Sequence, residues 1–248
     1  MKKFNWTKFL VLPCIAIGFA NSSYGSHIDF LDDAGFFLVA NSVTGPSSAL
    51  QVGAPGNILG SEREVNLSFA SGSGFISSGL LAPIGPGPVV GPPSDPAILL
   101  LFSNSVNSLG TLELRYDGVG GVGFAPPIDF DTLYNFISVD MFSVQGTGEL
   151  SVTVTDSGSN TGTLTGTVAS AGTYTFPFTH PNYASVDFTT VSRVVVTLET
   201  TLAASDFAIN EITREAQPGQ NNIPEPSAML LVLTGVVGVI YSRRKWRS

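Results

Sequence analysis

An antiparallel β-sandwich is the fold this sequence predicts, and three observations carry the prediction. Short segments alternate apolar and polar residues with a period of two. Charged residues make up only 12% of the chain, while 27 Gly and 16 Pro punctuate it. No amphipathic helix of normal length stands out between Ser26 and Glu215.

The first 25 residues stand apart from that pattern. Lys2, Lys3 and Lys8 form a basic head, Phe9 to Ala20 is an apolar run, and Asn21-Ser22-Ser23-Tyr24-Gly25 follows with small residues at Ser23 and Gly25. This is the layout of a secretory signal peptide spanning 1–25, with cleavage after Gly25 and Ala20 as the second choice. The apolar run falls short of the ~20 residues that a retained membrane helix needs.

Residues 26–215 carry the alternation. Val65, Leu67 and Phe69 interleave with Glu64, Asn66 and Ser68; Leu112, Leu114 and Tyr116 with Thr111, Glu113 and Arg115; Leu150, Val152 and Val154 with Ser151, Thr153 and Thr155. Tyr174, Phe176 and Phe178 repeat the pattern, as do Val194, Val196 and Leu198. One apolar and one polar face per strand is the mark of antiparallel sheets over a shared core. Ile98 to Phe102 is apolar throughout and suits a central strand. Asp156-Ser157-Gly158-Ser159-Asn160 reads as a hairpin loop between two Thr-rich strands, and Asp117-Gly118 ends another strand. Six prolines between Ala82 and Ala97 exclude a central strand there and predict an extended loop. Many short strands in one domain favour a sandwich of jelly-roll type. Residues 216–223 are polar and read as a linker.

The C-terminus has its own grammar. Pro224-Glu225-Pro226 keeps the backbone extended, Ser227 can cap a helix, and residues 228–241 are apolar apart from Thr234. As a helix they span about 21 Å against roughly 30 Å of bilayer hydrocarbon. Arg243, Arg244, Lys245 and Arg247 (the basic tail 243–247) hold that end on the cytoplasmic side, and their long side chains supply part of the missing length. A Pro-Glu-Pro motif at 224–226, a short transmembrane helix and a terminal basic cluster together resemble the PEP-CTERM sorting domain. The resemblance implies processing by exosortase, with Pro224, Glu225 and Pro226 as the motif read, and a transient stay in the inner membrane. It further implies a final position at the cell surface or outside the cell, in an exopolysaccharide or biofilm setting. Leu59-Gly60-Ser61-Glu62-Arg63-Glu64 and Tyr116-Asp117-Gly118 are also similar to the bodies of other PEP-CTERM proteins, which implies a sandwich and names no ligand.

Charge and cysteine narrow the classes of function. All 19 acidic residues lie between the two basic ends, where only Arg63, Arg115, Arg193 and Arg214 oppose them, so that stretch carries −15. Such a body has no footprint for nucleic acid and suits cations or neutral sugars. Cys14, in the signal peptide, is the single cysteine, which removes disulfides and thiol chemistry from the body. His27 and His180 are the only histidines. No Gly-x-Ser-x-Gly elbow accompanies them, and no phosphate-binding Gly-Lys-Ser/Thr loop or His-Glu-x-x-His pair occurs. No catalytic residue and no cofactor is assigned. Calcium is the candidate cation, with Asp129 and Asp131, or Asp32 and Asp33, as the nearest groupings. Tyr116, Tyr134, Tyr174 and Tyr183 are the candidate sugar-stacking aromatics, with core packing expected of Tyr116 and Tyr174. The expectation is a non-enzymatic surface or matrix protein of structural or adhesive role. The alternative is a carbohydrate-binding module or a carbohydrate-processing enzyme of the cell surface.

Overall fold

The computed structural model describes residues 27–29, 31, 36–53, 58–81, 99–131 and 134–215. The signal peptide, the Pro-rich stretch, Asp32 and Asp33, the linker, the Pro-Glu-Pro motif, the apolar run 228–241 and the basic tail lie outside these residues. Among the described residues no helix is long and apolar enough to cross a membrane.

The described chain is all β. Its strands are β1 (His27–Asp29), β2 (Phe37–Asn41), β3 (Ser47–Val52), β4 (Glu62–Gly72), β5 (Phe75–Leu81), β6 (Leu99–Asn104), β7 (Ser108–Tyr116), β8 (Phe136–Gln145), β9 (Gly148–Asp156), β10 (Thr161–Val168), β11 (Gly172–Pro177), β12 (Val191–Thr200) and β13 (Asp206–Glu215). They form two antiparallel sheets. One has the order β11-β8-β13-β6-β5-β2 with β1 added beside β13; the other has the order β10-β9-β12-β7-β4-β3. Four of the five alternating segments fall within β4, β7, β9 and β12, the fifth lies in β11 except for Phe178 just beyond its end, and the continuous apolar run from Leu99 onward supplies β6, an interior strand.

The period of two sends one set of side chains between the sheets. Val65, Leu67, Leu112, Leu114, Val152, Val154, Val194 and Val196 come from the six-stranded sheet, and Ile76, Leu100, Phe102, Ile137, Val139, Phe207 and Ile209 from the other; all are buried. Each such side chain contributes about 1.5–3 kcal/mol relative to exposure, so this layer is the main source of stability. Phe188 adds a second centre, stacked on Phe178 at 4.1 Å and edge-on to Tyr183 at 5.5 Å.

Strand registers give the sandwich two distinct poles. His27 pairs with Thr213 and Phe136 with Glu215, so the described chain begins and ends at the same pole. Strands β3, β5, β7, β9 and β11 also end there. At the opposite pole, six connections carry the chain between sheets: β2–β3, β4–β5, β6–β7, β8–β9, β10–β11 and β12–β13.

Candidate functional site

Two polar features compete for attention, and burial separates them. The first lies inside the sandwich. Arg63 Nη1 donates to Asp29 Oδ2 and Arg63 Nη2 to Gln51 Oε1. The Tyr116 hydroxyl also donates to Asp29 Oδ2, at 2.7 Å, and the Leu31 N–H donates to Asp29 Oδ1, at 2.8 Å. Asp29, Arg63 and Tyr116 are all 0% exposed. Burial, reinforced by the Asp29 charge, pushes the pKa of the Tyr116 hydroxyl well above its ordinary value, so it stays protonated and donates. This network is closed to solvent. It ties β1, in one sheet, to β3, β4 and β7 in the other.

The second feature is the outer face of the six-stranded sheet, built by the complementary half of the alternation. Strand register sets its side chains in rows. Thr163, Thr153, Val195, Arg115, Glu64 and Leu50 make one row; Thr165, Ser151, Thr197, Glu113, Asn66 and Ser48 the next; Thr167, Glu149, Glu199, Thr111 and Ser68 the third. Neighbours within a row stand about 4.8 Å apart, the strand spacing. Hydroxyl meets hydroxyl at 2.8 Å between Thr153 and Thr163 and at 3.2 Å between Thr155 and Thr161, while Asn66 Nδ2 donates to Glu113 Oε1 at 3.3 Å. No row holds an aromatic residue.

Two clefts open on this face. One, of about 530 Å3, is lined by Ser48, Asn66, Ser68, Thr111 and Glu113. The other, of about 520 Å3, sits where the face meets the glycine-rich loop after β7, and Asp156, Ser159, Thr161, Arg193 and Gly123 line it. Charge there is internally matched: Arg115 Nε donates to Asp117 Oδ2 at 2.6 Å, and Arg193 Nε lies 3.5 Å from the same oxygen. The loop itself turns through Gly118, Gly120, Gly121 and Gly123, all at positive φ. At Gly118 a Cβ would stand 3.0 Å from the Gly123 carbonyl oxygen, so glycine closes the turn.

The ionisable groups near the second cleft are structural. The Asp187 N–H, at 3.0 Å, and the Asn160 side chain, at 2.9 Å, donate to the Asp156 carboxylate and hold it below the ordinary carboxylate value. The Thr189 hydroxyl and N–H do the same for Asp187. Each caps a turn.

Several residues singled out by sequence have other occupations. His180 Nδ1 accepts from the Asn182 N–H at 3.2 Å and caps a 3₁₀ turn. Asp129 accepts from the Asp131 N–H at 2.9 Å, a local turn that accounts for their spacing without a cation. Among the described residues no group of three or more His, Cys, Asp or Glu comes together as a metal site. None of the four tyrosines forms a platform. Tyr116 and Tyr183 are buried, and the Tyr183 hydroxyl donates to the Val152 carbonyl at 2.7 Å. Tyr174 packs against the core, and Tyr134 carries the Arg214 guanidinium 4.5 Å from its ring centre. Among the described residues the exposed aromatic side chains are instead Phe37, Phe75 and Phe142, on the seven-stranded sheet. Their positions in alternating segments could have been read, but those strands are short or bulged and the period is faint. The Asp29–Arg63 pair had a clearer signal: two residues before Val65, Arg63 falls on the inward phase of β4.

No family model and no curated protein matches the chain. Among solved structures, it is similar to an exo-beta-agarase at a TM-score of 0.40 and 12% identity, over 62% of this chain and 23% of that one. It is similar to the family 11 carbohydrate-binding module from Clostridium thermocellum, in complex with a beta-1,3-1,4-mixed-linked tetrasaccharide, at 0.36 and 12%, over 77% and 95%. TmCBM61 in complex with beta-1,4-galactotriose is matched at 0.35 and 9%, over 62% and 88%. The chain thus spans under a quarter of the agarase's length, and likeness at these scores carries no argument about ligand or activity.

Proposed function

We propose that this chain is an exported, non-catalytic protein of the cell surface or extracellular matrix. In this reading its sandwich adheres to neutral polysaccharide through the outer face of the six-stranded sheet. The three polar rows carry the reading. Hydroxyl, amide and carboxylate groups at strand spacing offer a polyol donors and acceptors over several strands at once. Short Ser and Thr side chains lose little rotamer entropy on binding. The acidic body turns away polyanions, which leaves neutral chains as the partner.

The non-catalytic part rests on two carboxylates and on the motifs the sequence lacks. Asp156 and Asp187, held below the ordinary carboxylate value, do not supply the raised acid that glycoside hydrolysis needs, and the sequence offers no Gly-x-Ser-x-Gly elbow or His-Glu-x-x-His pair. Export and sorting rest on the sequence of the two ends: a signal peptide at 1–25, the Pro224-Glu225-Pro226 motif for exosortase, and the basic stop at Arg243, Arg244, Lys245 and Arg247.

A neutral-glycan array with the purified chain, paired with an assay for new reducing ends, tests the proposal. Binding without bond cleavage is expected. Each lost hydrogen bond to the sugar is worth about 0.5–1.5 kcal/mol, so Asn66→Ala or Glu113→Ala should weaken Kd roughly two- to tenfold. New reducing ends would transfer the case to the rival enzyme reading, and silence across all neutral glycans would end the adhesive one.

A further inference from the structure

We infer that Arg193 is the residue by which the outer face of the six-stranded sheet selects its sugar, and that the cleft it lines takes one pyranose unit through two adjacent hydroxyls. This rests on the neutral-polysaccharide reading and gives it a specificity-determining donor. Two basic side chains reach this face, Arg115 and Arg193, and their situations differ. Arg115 is engaged at both ends of its guanidinium, by Asp117 at 2.6 Å through Nε and by Glu64 at 3.6 Å through Nη1. Arg193 has one ion-pair contact, from Nε to Asp117 at 3.5 Å, too loosely aligned to be a hydrogen bond. Its Nε is shut off from solvent and, among the described residues, has no hydrogen-bond acceptor, while the side chain as a whole is 38% exposed. The guanidinium carries two further N–H2 groups in a planar fork.

The backbone fixes this side chain and both walls around it. Pairing of β12 with β9 slips between Val191 and Arg193, and a bulge of that kind re-aims the residue beside it. Ser192, at the slip, is tied down by its hydroxyl, which donates to the Thr155 and Asp156 carbonyls at 3.1 and 2.8 Å. The glycine-rich loop is pinned to the same place, since the Phe124 N–H donates to the Ser192 carbonyl at 2.8 Å. The hairpin on the other side is held by the Ser157 N–H, which donates to the Thr190 carbonyl at 2.8 Å. Walls already set before binding keep the entropic cost of docking low. Register places Thr155 and Thr161 in the row of Arg193, and Val122, 84% exposed, and Pro127 give the loop wall an apolar surface. Hydroxyls beside an apolar wall match a sugar ring, which has both. A cleft of about 520 Å3 encloses a small ligand, a unit of a polysaccharide rather than a length of it.

A guanidinium fork suits a carboxylate or a pair of neighbouring hydroxyls, and the surroundings decide between them. Asp117 already faces both arginines, Glu64 takes the other end of Arg115, and Asp156 lines the cleft with its carboxyl held below the ordinary value. Carboxylates therefore outnumber guanidiniums around the cleft, and an incoming anion meets repulsion. Hydroxyl oxygens accept from the fork without adding charge. The fixed geometry of the fork asks for two oxygens on neighbouring ring carbons, so blocking either one removes half of the contact.

The test is calorimetric titration of the full chain with the neutral oligosaccharide selected on the array and with its singly O-methylated forms. Arg193→Ala should weaken Kd at least about tenfold, the effect of losing hydrogen bonds from a charged donor. Arg193→Lys should stay weak, because a single ammonium cannot span two oxygens. Methylation of either of two adjacent hydroxyls should weaken binding to the parent chain and leave binding to R193A where it was, the coupling expected of groups in contact. A far-UV circular dichroism spectrum equal to the parent's shows that each variant is folded. Kd within twofold of the parent in R193A, full recovery in R193K, or equal methylation losses in parent and R193A would each overturn the assignment of Arg193 while the polysaccharide reading stands. Arg193-dependent binding of uronic-acid glycans would overturn the neutral diol as the ligand. Silence of the parent chain across the neutral array would end the polysaccharide reading and this inference with it.

Discussion

Removing the carboxylate of Asp29 is the sharpest perturbation the sandwich offers. Asp29→Ala takes the Asp29 carboxylate away from the buried Arg63 guanidinium and removes the acceptor of the Tyr116 hydroxyl. Breaking one side of a buried ion pair costs about 3–5 kcal/mol, a large share of the ~5–15 kcal/mol by which most domains are stable. At about 2–4 °C per kcal/mol for a domain of this size, Tm should fall by roughly 6–20 °C. Tyr116→Phe removes a single hydrogen bond to a charged acceptor and should cost about 1.5–3 kcal/mol. Replacing the pair together, as Asp29→Leu with Arg63→Met, should cost clearly less than the sum of the two single changes, because neither variant group is then a buried charge. Urea unfolding followed by far-UV circular dichroism measures all three, with an unchanged m-value as the check that only stability moved. A loss below ~1 kcal/mol for Asp29→Ala, or additive costs for the pair, would refute the view that this network joins the two sheets.

Three further outcomes follow from other parts of the chain. Asp156 and Asp187 sit below the ordinary value of 3.8, so the folded chain binds fewer protons than the unfolded one; the stability they add is complete above that value and lost as pH drops beneath it. Asp156→Asn should therefore flatten the acid limb of a Tm-against-pH curve, and an unaltered limb counts against the assignment. Gly72 has φ +114°, and a Cβ there would stand 1.7 Å from the Asn107 carbonyl oxygen, so Gly72→Ala should cost at least about 1–3 kcal/mol in a urea titration. In the native host, Glu225→Ala should export normally and stall in the inner membrane, whereas deleting Arg243, Arg244, Lys245 and Arg247 should release unprocessed chain to the soluble exported fraction; fractionation and blotting that find both variants identical to the parent would reduce the tail to a plain anchor.

The sandwich was legible because stretches of β4, β7, β9 and β12 keep a strict period of two. Val65 to Phe69 and Leu150 to Val154 announce an inward and an outward face without help from the rest of the chain. The hairpin from Asp156 to Asn160 was equally local, its Asp and Asn bonding to each other across the turn. Strands such as β8 and β13 were harder, since bulges near Met141 and Ile209 break the alternation that would reveal them. Sheet order and the division into two poles depend on long-range pairing, for which a single sequence holds no periodic signal. The site suffered in the same way. Tyrosines drew attention by chemical type, yet Tyr116 and Tyr183 stand on inward positions and are spent on the core. The polar rows are assembled from six strands, and each strand alone reads only as an ordinary solvent-facing edge of the alternation.

Hydrogen-exchange footprinting of the chain with a neutral oligosaccharide identified on the array reads the binding face directly. The polysaccharide reading predicts added protection in β4, β7, β9 and β12, around Asn66, Thr111, Glu113 and Thr153, with β2 and β5 unchanged. Protection centred on Phe37 and Phe75, on the seven-stranded sheet, would contradict it.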